Sequence, residues 1–356
     1  MPDVSVERLP VEVLGLGFIG FDHLHIVLRN GFAPGTPQED WFVIEGVRDV
    51  VGTEVHLGVI GWNGGTTLSE ANGGLSGAAL EHRIGTSASR GATEIASGAD
   101  AIALWSRLAA HATDIEAQGF PYIAATLAAS PLPTINSSSL IASLLHHAGV
   151  RIRDALPSGL RFSPGVTTLL GTSGDDRLAA RDGFTTLVGG RGDDILSGGD
   201  RLASVDKLYG GAGNDTLRWS RGSAILHGGQ PGLAYADDGI DTVDYSGAGT
   251  ITIEALPPGA PHLKADFVVL RAGGCDYLFS IEEIIWDAGR DHVTLGDGVS
   301  LVQRGPDAHS VLMPFLPDPF SPAAAPWPGL VGPDAGPAEA GLAPGGFPWL
   351  DFGGGG

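Results

Sequence analysis

Cysteine is nearly absent: one residue, Cys275, in a chain of 356. A single thiol excludes an internal disulfide framework and a cysteine-based zinc cluster. Positive charge is also scarce. Twenty Lys and Arg stand against 41 Asp and Glu, a formal net charge of −21. Such a surface repels nucleic acid and anionic membranes and draws cations, so no nucleic-acid partner is expected. No stretch approaches ~18 uninterrupted apolar residues, so no transmembrane segment is expected. The opening residues, MPDVSVERLP, lack a basic region and an apolar run, and no classical signal peptide is visible in them. HExxH and GxSxG are missing, which disfavours a zincin protease and a lipase of the usual nucleophile-elbow type.

Glycine is abundant instead, with 56 residues, and proline follows with 24. The glycines have no three-residue period, which excludes collagen. A hydrophobic content of 43% is too high for a wholly disordered chain. Composition divides the chain in three. Residues 1–163 mix helical and strand-like patterns, residues 164–303 are rich in Gly and Asp, and residues 304–356 hold 11 prolines and 11 glycines. Proline at that density sustains neither a ladder nor a helix, so 304–356 is expected to be an extended tail. In the first part, Ala99–Gln118 carries apolar residues at three- and four-residue spacing, an amphipathic helix ending at Gly119. Asn136 precedes a second helix as its N-cap, with Gly149 as its stop. Leu24–Leu28 and Trp41–Ile44 have the composition of short strands. The first part is therefore expected to be an α+β domain.

The middle part carries a nine-residue register. Its clean units are GTSGDDRLA (171–179), GGRGDDILS (189–197), GGAGNDTLR (210–218) and ADDGIDTVD (236–244). Three poorer units, ARDGFTTLV (180–188), RLASVDKLY (201–209) and WSRGSAILH (219–227), alternate with them. The insertions are Gly198–Asp200 and Gly228–Tyr235. Position four is Gly in six of the seven units, and position eight is always Leu or Val. A turn followed by a short strand with one inward apolar residue is what a parallel β-roll requires, with two units per coil. Consecutive turns lie on opposite edges of a roll, so alternate units share an edge. One edge receives Asp176, Asp194, Asp215 and Asp241 at position six, and the other receives Thr185, Asp206 and Ala224.

GGRGDDILS and GGAGNDTLR resemble the nonapeptide repeats of the RTX (repeats-in-toxin) family, also called hemolysin-type calcium-binding repeats. The resemblance spans 171–244, with SIEEIIWDAGRDHVTL (280–295) as a weaker echo. It implies an all-β parallel roll that binds calcium and folds on it. In that family the Gly-rich half of each unit is a turn and the position-six Asp is a metal ligand. Carried over, the resemblance implies Asp176, Asp194, Asp215 and Asp241 as carboxylate ligands. The turn glycines would be Gly174, Gly190, Gly192, Gly211, Gly213 and Gly239. The chemistry suits them: calcium takes six to eight hard oxygens at roughly 2.3–2.6 Å, and glycines let backbone carbonyls turn towards one point. Four turns on one edge would make up to three sites, the third interrupted by the insertion at Gly228–Tyr235. The family also implies export from a bacterial cell through a one-step (type I) secretion machinery, hence an extracellular place of action.

FDHLHIVL (21–28) followed by NSSSLIASLLHHAG (136–149) resembles circularly permuted papain-like domains. There a His begins an early strand and a later helix carries the nucleophilic Cys near its N-terminus. His23 matches the base, and Ser137 stands where the Cys would be. The expected role of residues 1–163 is a non-catalytic binding or structural module. The alternative is a hydrolase, a peptidase or amidase using Ser137 and His23. His25 is expected to pack ordinarily. LGLGFIG (14–20) contains GxGxxG, a dinucleotide pattern only if a helix follows it, and FDHLHIVL suits a strand better. His146 and His147, late in a helix, are expected to favour its C-terminus.

Overall fold

The computed structural model describes residues 1–12, 20–29, 41–60, 91–124, 126, 132–160, 163–202, 204–229, 239–255, 265–296, 299 and 309–312. The first part builds an antiparallel sheet from β1 (Asp3–Glu12), β2 (Gly20–Arg29), β3 (Trp41–Val51), β4 (Glu54–Ile60) and β5 (Ala92–Ser97), in the order β4-β3-β2-β1-β5. Helix α1 (Ala99–Ala117) buries Ala101, Leu104, Leu108, Ala112 and Ile115, the apolar stripe of the sequence, and stops before Gly119 at φ 70°. Helix α2 (Ser137–His147) is closed by a reciprocal cap. The Asn136 side chain accepts from the Ser138 and Ser139 N–H groups, and Ser139 Oγ accepts from the Asn136 N–H at 2.7 Å. Such a cap stabilises a helix by about 1 kcal/mol. Both expected helices and both expected strands are present. Residues 14–19 of the dinucleotide pattern lie outside the described residues; at its end β2, a strand and not a helix, begins at Gly20 and pairs antiparallel with β1.

From Thr168 onward the chain winds as a roll. One face holds the parallel strands β6 (Thr168–Leu170), β8 (Thr186–Arg191), β10 (Val205–Ala212), β12 (Ser223–His227) and β16 (Gly274–Phe279). The other holds β7 (Arg177–Ala179), β9 (Ile195–Ser197), β11 (Thr216–Arg218), β13 (Thr242–Asp244) and β17 (Glu283–Trp286), also parallel. The position-eight residues stand in two registered stacks between the faces. Leu169, Leu187, Leu208, Leu226 and Leu278 form one stack. Leu178, Leu196, Leu217, Val243 and Ile284 form the other, and all ten are buried. Removing any one of these leucines to Ala leaves a cavity that costs about 2–5 kcal/mol. The strands β14 (Thr250–Ala255), β15 (Phe267–Arg271) and β18 (His292–Leu295) extend the first face beyond β16.

The two halves share one hydrophobic core that runs from Val4 to Trp286, so residue 163 marks a change of composition rather than a break in packing. Helices α1 and α2 lie against the first coil. Strand β6 is an edge of its sheet, and side chains from the helices take its backbone groups. Ser143 Oγ accepts the Leu170 N–H at 2.8 Å, His147 Nε2 donates to the Leu170 carbonyl at 2.8 Å, and Gln118 Nε2 donates to the Gly171 carbonyl at 3.0 Å. At the far end the segment expected to be wholly extended contributes β19 (His309–Leu312), paired antiparallel with β17. The run HSVL lies between Pro306 and Pro314 and contains no proline, so its backbone N–H groups can pair in a strand. Residues 313–356 lie outside the described residues. No helix among the described residues is long and apolar enough to cross a membrane.

Candidate functional site

The turns that lead into β7, β9, β11 and β13 stack on one edge, and their position-six carboxylates form a ladder. The Asp176 N–H donates to Asp194 Oδ1 at 2.7 Å, the Asp194 N–H to Asp215 Oδ1 at 2.8 Å, and the Asp215 N–H to Asp241 Oδ1 at 2.8 Å. The insertion before Asp241 leaves this geometry unchanged. The ladder has a fifth rung that the nonapeptide register does not contain: the Asp241 N–H donates to Glu282 Oε2 at 2.7 Å. One oxygen of Asp194, Asp215, Asp241 and Glu282 is thus committed to the coil before it, whereas Asp176 Oδ2 accepts from the N–H and hydroxyl of Thr172 in its own turn. Asp194 is 1% exposed, and its Oδ2 has no hydrogen-bond partner.

Those second oxygens lie beside the glycines at position one. A Cβ on Gly189 would strike both Asp194 Oδ2 and the Gly210 carbonyl. The same pair of oxygens recurs at Gly210, from Asp215 and Gly228, and at Gly228, from Asp241 and Ser280. Each coil therefore places one carboxylate oxygen and one carbonyl oxygen of the next coil against a bare Cα. Gly190, Gly192, Gly211 and Gly213 hold positive φ angles, from 109° to 127°. At Gly211 a Cβ would also strike the Gly190 carbonyl, so a side chain there is excluded by both conformation and space. Gly239 packs on Gly213 in the same way, whereas Gly174, in the outermost turn, faces open space. Ser280 continues the glycine column at φ 47°, held by its N–H bond to Asp266 Oδ2 at 3.0 Å.

Burial pushes the Asp194 carboxyl up to about 8, and the charges of Asp215, Asp176 and Asp175 push the same way, against the Asp176 N–H. A desolvated carboxylate between like charges is an unfavourable arrangement that a proton or a cation relieves. Among the described residues no three His, Cys, Asp or Glu side chains converge on one point. That excludes a tetrahedral imidazole or thiolate centre there, and leaves a donor set of one carboxylate oxygen per coil with backbone carbonyls. Hard oxygen donors of this kind fit calcium and not a soft metal.

A second, exposed ladder runs along position five of the same turns. Asp175 Oδ1 accepts the Asp193 N–H at 2.9 Å, Asp193 Oδ1 the Asn214 N–H at 2.7 Å, and Asn214 Oδ1 the Ile240 N–H at 3.0 Å. It fixes the spacing of the coils.

The opposite edge differs in kind. In register Asp206 stands beside Ala224, and Ala224 beside Asp276, so this edge carries a second carboxylate where one was expected. Asp206 Oδ2 accepts the Gly199 N–H at 2.8 Å and ties down the Gly198–Asp200 insertion. Asp276 is fully buried against Arg271: Nε donates to Oδ2 at 2.8 Å and Nη2 to Oδ1 at 2.7 Å, with the Tyr245 hydroxyl at 3.0 Å. RAGGCDYLF (271–279) is a further nonapeptide, with Gly274 at position four, Asp276 at six and Leu278 at eight. It is displaced from the preceding unit by the β14–β15 hairpin.

The papain-like pair does not assemble. Leu24 of β2 is buried in the core beside α2, and Gly46 of β3 faces the same helix: a Cβ on Gly46 would lie 2.7 Å from Ser137 Cα and 3.2 Å from Leu140 Cδ2. His23 and Glu45 alternate onto the other face, where His23 Nε2 lies 2.6 Å from Glu45 Oε1. The sheet separates the two residues. Ser137 Oγ, 1% exposed, donates to the Leu24 carbonyl at 2.8 Å, a packing role for a buried hydroxyl. His25, also buried, lies 3.6 Å from Glu7. His146 and His147 stand in the last turn of α2, where they were expected, and pack in a ring cluster. Their rings meet at 5.6 Å, His147 meets His111 at 5.1 Å and His146 meets Phe184 at 5.5 Å, at the seam with the first coil. Burial, followed by the nearby charge of His147, holds both His111 and His146 below the usual range.

No family model, curated protein or solved structure matches the chain.

Proposed function

We propose that the chain is a calcium-binding protein of the repeats-in-toxin type. On this reading calcium loads the edge bearing Asp176, Asp194, Asp215 and Asp241, and the fold of the roll depends on it. The observation that carries the reading is the Asp194 carboxylate, almost fully buried, with an oxygen that has no hydrogen-bond partner, between two further carboxylates. The repeated pairing of a carboxylate oxygen with a neighbouring coil's carbonyl supports it. A site of this sort suits the calcium levels outside a cell, where modules bind at about 10⁻⁴–10⁻³ M. We place the protein outside a bacterial cell, delivered by one-step secretion. Residues 1–163 act as a non-catalytic module that closes the first coil, and the separation of His23 from Ser137 argues against the hydrolase reading.

The test is a thermal melt of the full chain in chelator and in millimolar calcium, followed by circular dichroism and calorimetry. Binding that occurs only in the folded state stabilises by about 2.7 kcal/mol per site at a hundred times Kd, so the melting temperature should rise with calcium and not with magnesium. Identical melts in chelator and calcium, with no heat of binding, would overturn the reading.

A further inference from the structure

The edge that lacks the carboxylate ladder contains a cation of its own. Arg271 and Asp276 side chains are both 0% exposed. The guanidinium meets both Asp276 oxygens and, from the same plane, the Arg221 carbonyl at 3.3 Å and the Gly222 carbonyl. Its Cζ lies 5.2 Å from the centre of the Trp219 ring. Asp276 occupies the position-six place of its coil, and the Ala224 N–H of the coil before it bonds the same carboxylate, as on the other edge. The oxygens gathered here, a position-six carboxylate and carbonyls of the adjacent coil, are the kinds gathered around Gly189 and Gly210. The difference is what sits among them.

We propose that the Arg271 guanidinium is a built-in counter-cation, standing between the last coils where the opposite edge would take a metal ion. The coil pair β12–β16 is then closed without any bound ion and forms a platform that stays folded when the rest of the roll is stripped. The contrast with the ladder rests on the calcium reading; the closure of β12 on β16 does not. A planar fork suits this place better than an ammonium, because it meets the carboxylate with two bonds and still reaches two carbonyls.

The experiment is hydrogen exchange on the full chain in chelator. Amides of β12 and β16 should exchange at least about tenfold more slowly than those of β9 and β11. Equal rates in the four strands would overturn the proposal, and this measurement needs no variant. Arg271→Met should bring β12 and β16 to the rate of β9 and β11, and low-millimolar methylguanidinium should restore the difference. An Arg271→Met chain with unchanged exchange in β12 and β16 would also overturn it. If calcium leaves exchange in β9 and β11 of the wild-type chain unaltered, the calcium reading fails while the slow exchange of β12 and β16 still decides this one.

Discussion

On one edge of the roll four aspartates and a glutamate stack, each linked to the next through a backbone N–H; on the other, the fully buried carboxylate of Asp276 is held by an arginine. Both edges are built from the same turn and strand, and each is followed by strands that bury one apolar stack in the shared core. The difference lies in where the neutralising charge comes from. A ladder whose countercharge is external can be switched by the composition of its surroundings. An internal ion pair cannot, and it makes its coil independent of them. On the calcium reading proposed above, the molecule combines a conditional edge and an unconditional one around a single core.

The largest test of this contrast exchanges a charge for a neutral group of the same shape. Asp194→Asn keeps an acceptor for the Asp176 N–H and removes the buried charge. In chelator this variant should melt at or above the wild-type temperature. In saturating calcium it should fall short of wild type by about 2–3 kcal/mol, the contribution of one ion. Asp206→Ala should instead lose about 1–3 kcal/mol equally in both solutions, because it strands the Gly199 N–H. Melts of the two variants in both solutions decide it: parallel losses for the pair would erase the distinction between the edges.

A second effect is in pH. With no ion the Asp194 carboxyl is held up to about 8. A folded value raised above the unfolded one gives stability that is present below the unfolded pKa and is lost as pH rises through the folded value. In chelator the melting temperature should therefore fall between about pH 4 and about pH 8 and level off above that. Calcium replaces the proton, so the fall should flatten in calcium, and calorimetry in two buffers of different ionisation heat should detect proton release on binding. A melting temperature that rises with pH in chelator contradicts this.

The smallest effect concerns the fifth rung. Glu282→Gln keeps the bond to the Asp241 N–H and removes a charge. It should raise the calcium midpoint by about fivefold, equivalent to about 1 kcal/mol, while leaving the chelator melt within about 0.5 kcal/mol of wild type. An unchanged midpoint in a calcium titration would show that the ladder ends functionally at Asp241.

Seven of the ten stacked core residues, from Leu178 to Val243, and the four-aspartate edge were legible in the sequence, because period nine with one inward residue forces that placement; Leu169, Leu278 and Ile284 lie outside the register read there. Glu282 was not. It enters the ladder through a turn that lacks the glycine pair, and Ser280 takes the left-handed conformation that a glycine would have advertised. The Arg271–Asp276 pair was hidden for another reason. Their contact depends on β15 turning back onto β16, and nothing in residues 271–276 announces that the guanidinium will be enclosed. The papain-like resemblance failed on parity: a strand places alternate residues on opposite faces, and similarity of motif says nothing about which of the two faces the helix will cover.

The side chains of Gln118, Ser143 and His147 have a consequence for how such a molecule can grow over evolutionary time. They occupy the free edge of the first strand, so no further coil can be added before β6 without discarding the helices. Lengthening at the start of the roll is excluded, and its interior is open to it. Duplicating a pair of neighbouring units there would add one strand to each face and one rung to the ladder, without disturbing either end. The copy number of the repeat is therefore free to drift, while the sealed start of the roll is inherited as a fixed piece.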